Sequence, residues 1–377
     1  MPRQTPAAVF VLLLAGVASA AGPKKVHDDH DPRERVTVKQ PPTIVDRSEA
    51  MLEADFRFVG EYAGFEWPTG SPRSSRKVSL QVNATGGGSF VATRTIGGTP
   101  DQPDAAADVA RLAGHRRGDK VVLRDLAPSA YRLEYVLDGY AATVRTPGLG
   151  EAGRLERSFR SSPTLGQAPP PGAVVLYDGR GTSRLVNARV TPDGLLQQGT
   201  ETVDPWTDFR LHLEFRLPYK PNARGQARGN SGVYIQSRYE LQVLDSFGWP
   251  AAFNDVGALY RTVRPARNAS LPPLDWQTYD IDFTAPRFAG ETKTAPGRLT
   301  VWLNGVKIHD NLTIPRKTGL GQPEAGFPLP TKLQAHGNPV RYRNVWLLED
   351  GQPGPFGTPP PATPVPPVPV AGVPVWP

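Results

Sequence analysis

The chain has 377 residues, in which 43 Lys and Arg against 36 Asp and Glu give a formal net charge of +7. It contains no cysteine, which excludes disulfides, thiolate zinc sites, a cysteine nucleophile and a lipid-modified cysteine anchor. The basic residues are interleaved with acidic ones, so the charge indicates an ordinary basic surface and no nucleic-acid partner.

The first 20 residues have the pattern of a secretory signal peptide. Arg3 supplies positive charge, residues 7–17 are mostly apolar, and Ala18-Ser19-Ala20 is an A-x-A cleavage site. The apolar run is too short to span a bilayer, and no later segment is long and apolar enough. We predict an exported protein of the periplasm, cell envelope or extracellular space, whose mature chain begins near Ala21 and has no membrane span. An uncleaved anchor is the alternative.

A polar linker over residues 21–50 and a small β domain over residues 51–165 are predicted to follow. The linker contains His27-Asp28-Asp29-His30-Asp31, which resembles a metal tract, although stretches of this composition usually bind no ion tightly. In the β domain, Gly, Pro and Asp clusters separate runs of β-forming residues. The Ala-rich residues 104–113 are predicted to form one short helix, and no catalytic constellation is present. The candidate strands are 57–62, 77–82, 89–95, 120–123, 131–136 and 141–144.

Residues 166–172 form a Pro-rich joint, and residues 173–349 are predicted to form a second β domain. Along residues 209–217, apolar residues alternate strictly with charged or polar ones, as in a strand with one buried face. Asn304-Gly305 between two alternating runs predicts a β-hairpin. Many strands at short spacing without long helices indicate an all-β sandwich or jelly roll. The last residues, 350–377, form a Pro-rich tail that is too poor in core-forming patterns to pack.

The run over residues 229–246 predicts two short strands joined by a tight turn. Asn, Gln, Arg, Glu and Asp alternate there with apolar residues, which places one set in a core and the other on an open face. Such a face suits a polyhydroxylated ligand, although antiparallel sheets commonly leave one face wet without any ligand. Glu240 and Gln242 share one strand face, and Asp245 has the opposite parity.

From residue 175 onward the chain resembles the bacterial 3-keto-disaccharide hydrolase domain family, which is placed among the concanavalin A-like lectin/glucanase jelly rolls. The matches occur in order over nearly the whole of residues 173–349, and together they are highly specific. A small β region like the one at residues 51–165 precedes this domain in some relatives. The matching stretches are Val175-Leu176-Tyr177-Asp178-Gly179, the strand at 208–216, the run at 229–246, Gly257-Ala258-Leu259-Tyr260, Trp276-Gln277-Thr278-Tyr279-Asp280, Leu303-Asn304-Gly305 and the segment 336–346.

The resemblance implies a concanavalin A-like jelly roll that acts on a sugar oxidised at C3. A 3-ketone acidifies the C2 proton, so that a base can remove it and the C1 substituent can leave by β-elimination. Addition of water then completes a net hydrolysis. This chemistry needs a proton acceptor, a proton donor and a group that stabilises an enolate-like oxygen, for which a divalent metal is one option. No metal ligand is identified in the sequence.

Seven residues are the candidates for these roles under the resemblance. Two departures from the family pattern bear on them: Gln236 stands where relatives often have Arg, and Ala335 stands where relatives often have Asp before the histidine. Each departure predicts altered specificity or lost activity. The catalytic candidates are Glu240, His336 and Asp245, and the substrate-binding candidates are Asn230, Gln236, Arg238 and Gln242.

Other functions stay open at this point. A two-carboxylate glycosidase of the jelly-roll type needs a Glu-x-Asp-x-x-Glu pattern, which this chain lacks. A non-catalytic carbohydrate-binding module would use the same polar face together with Tyr234, Tyr239 and Trp276. A structural protein of the cell envelope would use the Pro-rich tail as a tether. For the glycosidase and for the carbohydrate-binding module, the predicted partner is a glycan.

Overall fold

The computed structural model describes residues 43–106, 110–127 and 131–349, and almost all regular structure within them is β. This confirms the all-β prediction. The predicted signal peptide, the linker up to residue 42 with its His-Asp tract, and the Pro-rich tail lie outside the described residues. No helix in the described ranges is long and apolar enough to cross a membrane. The helical segments are α1 (Arg47–Met51) and the 3-10 turns Phe56–Phe58, Pro72–Ser74 and Gly225–Ala227.

The first eight strands close into an antiparallel barrel in which each strand pairs with the next and β8 pairs with β1. Alternate residues point inward, as Val78, Leu80 and Val82 of the second strand show by their place in the apolar core of the barrel. The strands are β1 (Gly60–Glu66), β2 (Arg76–Gly86), β3 (Ser89–Ile96), β4 (Ala110–Arg117), β5 (Lys120–Asp125), β6 (Glu134–Leu137), β7 (Ala141–Thr146) and β8 (Gly150–Ser158).

Two barrel strands, β4 and β8, were not among the predicted ones. The helix predicted over residues 104–113 is wrong where it overlaps β4, because Ala110 begins a strand that pairs with β3 and β5. The preference of Ala for helices is worth only a fraction of a kcal/mol per residue, and two ladders of backbone hydrogen bonds outweigh it.

The strands after the joint form two packed sheets and one separate hairpin. One sheet has the order β10-β12-β21-β14-β15, and the other has the order β11-β22-β13-β16-β19-β20 with β9 paired to β22. Strands β17 and β18 form the hairpin. The strands are β9 (Val174–Tyr177), β10 (Leu185–Val186), β11 (Leu196–Gln197), β12 (Thr200–Thr202), β13 (Phe209–Arg216), β14 (Ser231–Ile235), β15 (Tyr239–Val243), β16 (Trp276–Thr284), β17 (Arg287–Ala289), β18 (Thr292–Ala295), β19 (Arg298–Leu303), β20 (Val306–Thr313), β21 (Lys332–Leu333) and β22 (Arg341–Glu349).

Both strand patterns read from this half of the sequence are present. In β13 the residues Leu211, Leu213 and Phe215 are buried in the core between the two sheets. Asn304 and Gly305 connect β19 to β20 with φ values of +53° and +77°, which are the left-handed conformations that a tight hairpin turn requires.

The polar face of β13 is covered by the first residues of the Pro-rich joint and by Thr164 just before it. His212 is fully buried, and its Nδ1 lies 2.7 Å from the Asp280 carboxylate. The Gly166 N–H donates to Glu214, and the Thr164 hydroxyl donates to Asp280 at 2.7 Å. Burial opposes protonation, but the Asp280 and Glu214 carboxylates prevail and raise the pKa of His212 to about 9. The joint is therefore hydrogen-bonded to the sandwich over a buried ionic network.

Candidate functional site

Gln236 and Ser237 form the tight turn between β14 and β15 with positive φ values of +49° and +53°. The Arg238 N–H donates to the Ile235 carbonyl at 3.0 Å and closes a two-residue turn. Two positive φ values are the signature of the type I′ turn, whose twist matches that of paired antiparallel strands. The hairpin predicted over residues 229–246 is present, although its turn lacks the usual Asn-Gly pair.

The two faces of this hairpin carry the residue sets that the alternation predicts, but the polar face is not open as predicted, because Tyr234, Glu240 and Gln242 are each at most 5% exposed. The outward face carries Gly232, Tyr234, Glu240 and Gln242, and the register places Gly232 opposite Gln242 and Tyr234 opposite Glu240. The inward face joins the core of the sandwich through Val233, Ile235, Tyr239, Leu241 and Val243. One polar patch of the five-stranded sheet is thus built from adjacent cross-strand pairs.

Glu240 is the centre of this patch. Only 3% of the residue is exposed, and the Tyr234 hydroxyl donates to its Oε2 at 2.8 Å. Burial raises the pKa of Glu240 to about 7, against the lowering effect of the hydrogen bond from Tyr234. Burial likewise raises the pKa of Tyr234 well above its ordinary value, so the phenol stays protonated and remains a donor. A carboxyl group with a pKa near neutrality can take up and return a proton at physiological pH.

The space around the Glu240 carboxylate depends on a glycine. A Cβ atom on Gly232 would lie 2.6 Å from the Glu240 Oε1, which is closer than real contacts allow. On the far side of β14, Lys332 pairs with Tyr234 and holds its Nζ 5.9 Å from the centroid of the Tyr234 ring. The backbone N–H of Glu240 donates to the Thr318 hydroxyl at 2.8 Å, which fixes the strand from its other edge.

Side-chain amides extend the patch beyond Glu240. Gln226 accepts hydrogen bonds through its Oε1 from Gln242 at 2.8 Å and from Asn230 at 3.1 Å. The Gln226 amide nitrogen donates to the Asn254 carbonyl at 2.9 Å. Within the described ranges, the Oδ1 of Asn230 and the Oε1 atoms of Gln242 and Gln334 are buried without a donor. Such oxygens can accept hydrogen bonds from the hydroxyls of a sugar.

Gln236 and Arg238, two of the predicted substrate-binding residues, brace the hairpin turn. The Gln236 amide donates to the Trp206 carbonyl at 2.8 Å and accepts from Arg238 at 3.1 Å. Arg238 also donates to the Pro323 carbonyl at 2.8 Å and lies 5.4 Å from the ring centroid of Phe327. Their hydrogen bonds tie the turn to the loops around it and do not involve Glu240, and their binding role stays a prediction.

Asp245 lies at the boundary between sandwich and barrel. Its carboxylate accepts from Arg228 at 2.6 Å and 3.1 Å and from Asn83 of the barrel at 3.1 Å. These bonds engage both carboxylate oxygens, so the structure gives Asp245 a structural partner set away from Glu240. The catalytic role predicted for it stays untested.

His336 follows β21 in an exposed loop. Its backbone N–H donates to the Gln198 side chain at 3.1 Å, and its carbonyl accepts from Asn338 at 3.0 Å. No hydrogen bond or ion pair joins its imidazole to Glu240 within the described ranges. The structure therefore brings Glu240, Gln242 and Asn230 into one patch and gives His336 no hydrogen bond to them within the described ranges, and its catalytic role stays a prediction.

A metal-ligand set is not evident around Glu240. Across the residues that the structure describes, no group of three or more His, Asp or Glu could hold a metal ion. Glu240 is surrounded by a phenol and by amides, which do not together make the carboxylate and imidazole set that a divalent ion usually takes.

Sequence reasoning missed three members of the patch. Gln226 lies in a 3-10 turn of three residues, and Lys332 and Gln334 lie in or beside a strand of two residues. Both segments are too short to show a repeating pattern of apolar residues, so the sequence does not indicate which way their side chains point. Lys332 and Gln334 were identifiable only by their pairing with β14, in which the Gln334 N–H donates to the Gly232 carbonyl at 2.8 Å.

Comparison with known proteins supplies a family for the second half of the chain. Residues 172–348 match the 3-keto-alpha-glucoside-1,2-lyase-like domain. A candidate glycosyl hydrolase from Parabacteroides distasonis ATCC 8503, with a crystal structure at 2.13 Å resolution, is 32% identical over 48% of this chain and 85% of its own, with a TM-score of 0.44. A second candidate glycosyl hydrolase from the same strain, solved at 1.70 Å, is 18% identical over 48% of this chain and 94% of its own, with a TM-score of 0.34. None of the curated proteins compared with the chain matches it.

Proposed function

Because residues 172–348 belong to the 3-keto-alpha-glucoside-1,2-lyase-like domain family, we propose that this carbohydrate-active protein cleaves 3-keto-glycosides at the bond to C1. The single observation that carries the proposal is the buried Glu240 with a pKa near 7 beside the Tyr234 hydroxyl. A general base works best when its pKa lies near the operating pH, and this carboxyl meets that condition through burial.

Glu240 acts as the base that removes the proton from C2 of the keto sugar. The electron pair of the C2–H bond forms the C2–C3 double bond of an enolate, and the ketone oxygen gains the negative charge. When the ketone re-forms, the pair moves to make a C1–C2 double bond and the C1–O bond breaks. The departing oxygen takes up the proton held by Glu240, and the carboxylate is restored.

The neighbours of Glu240 support the two charged stages of this sequence. The Tyr234 hydroxyl holds one carboxylate oxygen by its 2.8 Å hydrogen bond. Lys332 supplies positive charge beside this pair, where an enolate oxygen would be stabilised. The donor-free amide oxygens of Asn230, Gln242 and Gln334 would accept hydrogen bonds from the sugar hydroxyls. Addition of water across the C1–C2 double bond completes a net hydrolysis.

The test is to incubate the full chain in D₂O with a 3-keto-disaccharide and with the unoxidised disaccharide. NMR follows loss of the C2 proton signal and release of the aglycone. We expect both events with the keto sugar alone, and a loss of about 10²–10⁴ in rate for Glu240→Gln, the range typical for a general base. The matched control is Glu291→Gln, which makes the same change at an exposed turn and should retain the wild-type rate.

The outcomes separate the candidate functions. Turnover of the unoxidised sugar without exchange at C2 points to a two-carboxylate glycosidase and contradicts the proposal. Saturable binding of sugar without turnover indicates a carbohydrate-binding module. A wild-type rate for Glu240→Gln removes Glu240 from the role of base even if the keto sugar is cleaved.

A further inference from the structure

We propose that the barrel contributes to catalysis in the sandwich by positioning the loop at residues 220–230. This loop orients the side-chain amides beside Glu240. Asn83 of the barrel and Arg228 of the loop are then positioning residues for the cleavage. This inference rests on the proposed function and assigns a role to the first half of the chain. It is carried by hydrogen bonds from β2 to Arg228 and by those of Gln226 with Gln242 and Asn230, and the backbone of the loop joins the two sets.

The first set begins at the end of β2. Asn83 is fully buried, and its amide donates to Asp245 at 3.1 Å and to the Phe247 carbonyl at 2.9 Å. Asp245 in turn binds Arg228 through two hydrogen bonds, and its backbone N–H donates to the Arg228 carbonyl at 3.0 Å. A barrel side chain thus fixes the carboxylate that anchors the loop.

Arg228 fastens the loop to itself and to the barrel. With 2% of the residue exposed, one guanidinium nitrogen donates to the Lys220 carbonyl at 3.1 Å, the Pro221 carbonyl at 3.3 Å and the Ala84 carbonyl of β2 at 3.3 Å. A second arginine of the loop, Arg224, donates to the Thr85 carbonyl, also at the end of β2. These hydrogen bonds are buried from water, so a movement of the loop would leave polar groups without partners. The loop therefore has few alternative positions.

The barrel also meets this loop through close packing. A Cβ atom on Gly86 would lie 1.7 Å from the side-chain oxygen of Asn222. The end of β2 therefore packs directly against the loop, and a side chain at Gly86 would clash with the side chain of Asn222.

The second set lies in the polar patch. Gln226 lies between Arg224 and Arg228, and its side-chain oxygen receives the hydrogen bonds from Gln242 and Asn230. A shift of the loop would release both amides from their rotamers. A displacement of about 1 Å at a positioning group can lower a rate by about 10²-fold. Loss of the contacts between the barrel and the loop would therefore lower the rate of cleavage.

The experiment compares two alanine variants of one strand face. Asn83→Ala removes the contact to Asp245, and Gln81→Ala removes an equally buried amide two residues away that donates to the Ser270 carbonyl at 3.2 Å, outside the loop. We expect kcat/KM on a 3-keto-disaccharide to fall about tenfold or more for Asn83→Ala and less than about twofold for Gln81→Ala. Hydrogen exchange of the peptide 220–230 should accelerate only in Asn83→Ala.

A double-mutant cycle with Gln226→Ala tests the route itself. If the barrel acts through Gln226, adding Asn83→Ala to Gln226→Ala lowers kcat/KM no further. Full additivity of the two losses, or faster exchange in 220–230 with unchanged kcat/KM, overturns the inference. Equal losses in Gln81→Ala and Asn83→Ala also overturn it, because the effect would then be general destabilisation.

Failure of the proposed function gives a different result. In that case the wild-type chain cleaves no 3-keto-glycoside, and the exchange measurement alone decides whether Asn83 holds the loop. Unchanged exchange in Asn83→Ala then overturns the inference, and faster exchange supports the barrel's hold on the loop independently of the substrate.

Discussion

Glu240 illustrates how one residue acquires a chemical property from its surroundings. A glutamate on a wet strand face titrates near pH 4.5, but here burial raises the pKa to about 7. The hydrogen bond from Tyr234 lowers the pKa and offsets only part of this effect. The residue therefore holds a proton in the folded state at pH values where the unfolded chain has already released it.

The first prediction concerns the pH dependence of turnover. Because the base must be ionised, kcat/KM on a 3-keto-disaccharide should rise with pH through a midpoint of about 7 and level off above it. Initial rates between pH 5 and 9 measure this profile. A midpoint near 4.5 would show that the base is an ordinary exposed carboxylate and not Glu240.

The second prediction concerns stability. The raised pKa means that the folded state binds one more proton than the unfolded chain between pH 4.5 and about 7, so stability falls as pH rises through that window. A shift of this size corresponds to about 3 kcal/mol. Glu240→Gln lacks the ionisable group, so its thermal midpoint should rise relative to wild type between pH 5 and pH 8. A constant difference across these melts contradicts the assignment.

At the scale of the element, the β14–β15 hairpin has room for the Glu240 carboxylate because a small residue lies beside it on the neighbouring strand. Gly232 lies beside the Glu240 carboxylate, and its φ is not in the left-handed region, so alanine suits its backbone. Gly232→Ala should therefore displace the carboxylate and lower kcat/KM about tenfold or more with little loss in thermal midpoint. Gly181→Ala, at an open loop position, is the control for the same change. A wild-type rate for Gly232→Ala would mean that the carboxylate position is not critical.

At the scale of the molecule, the two β units share buried surface. Tyr219, Phe247 and Leu274 of the second unit belong to the apolar cluster of the barrel. Arg160 of the first unit pairs with Glu61 of β1 and also donates to the Ala269 and Ser270 carbonyls of the second unit at 3.2 Å and 3.0 Å. Separation of the units would expose the shared apolar side chains to water and would expose the charged Arg160 and Glu61. Both effects stabilise the contact between the two units.

A fragment of residues 173–349 tests this dependence. We expect its circular dichroism to show β structure, because the core between its two sheets is built from its own residues. Its thermal midpoint should lie below that of the full chain, since Phe247 and the Arg228–Asp245 pair lose their barrel contacts. A helical or random-coil spectrum would show that the sandwich cannot fold alone, and an unchanged midpoint would show that the barrel contributes nothing to its stability.

Export remains a prediction from the sequence pattern of the first 20 residues. Cleavage after Ala20 would remove the apolar run and leave a mature chain that begins near Ala21. Mass spectrometry of the protein purified from its native cell measures this directly. Recovery of the intact chain from Met1 in the cell-associated protein contradicts it.

The sequence by itself determined the all-β class, the alternating strand at β13, the two hairpins and the shared face of Glu240 and Gln242. These are local properties, since side-chain alternation and turn conformation depend on residues adjacent in the chain. The resemblance to the 3-keto-disaccharide hydrolase domain family is also a property of the sequence, and the family match over residues 172–348 confirms it.

Only the tertiary structure decided what surrounds these residues. The burial that shifts the pKa of Glu240, the capture of Asp245 by Arg228 and Asn83, and the place of Gln226 all depend on segments far apart in sequence. The Ala-rich stretch became β4 for the same reason, because its partners in the barrel outweighed its local preference. The spacing of apolar residues along a strand shows which face of the sheet a side chain lies on. The extent of its burial and its hydrogen-bond partners are set by the segments that pack against that face.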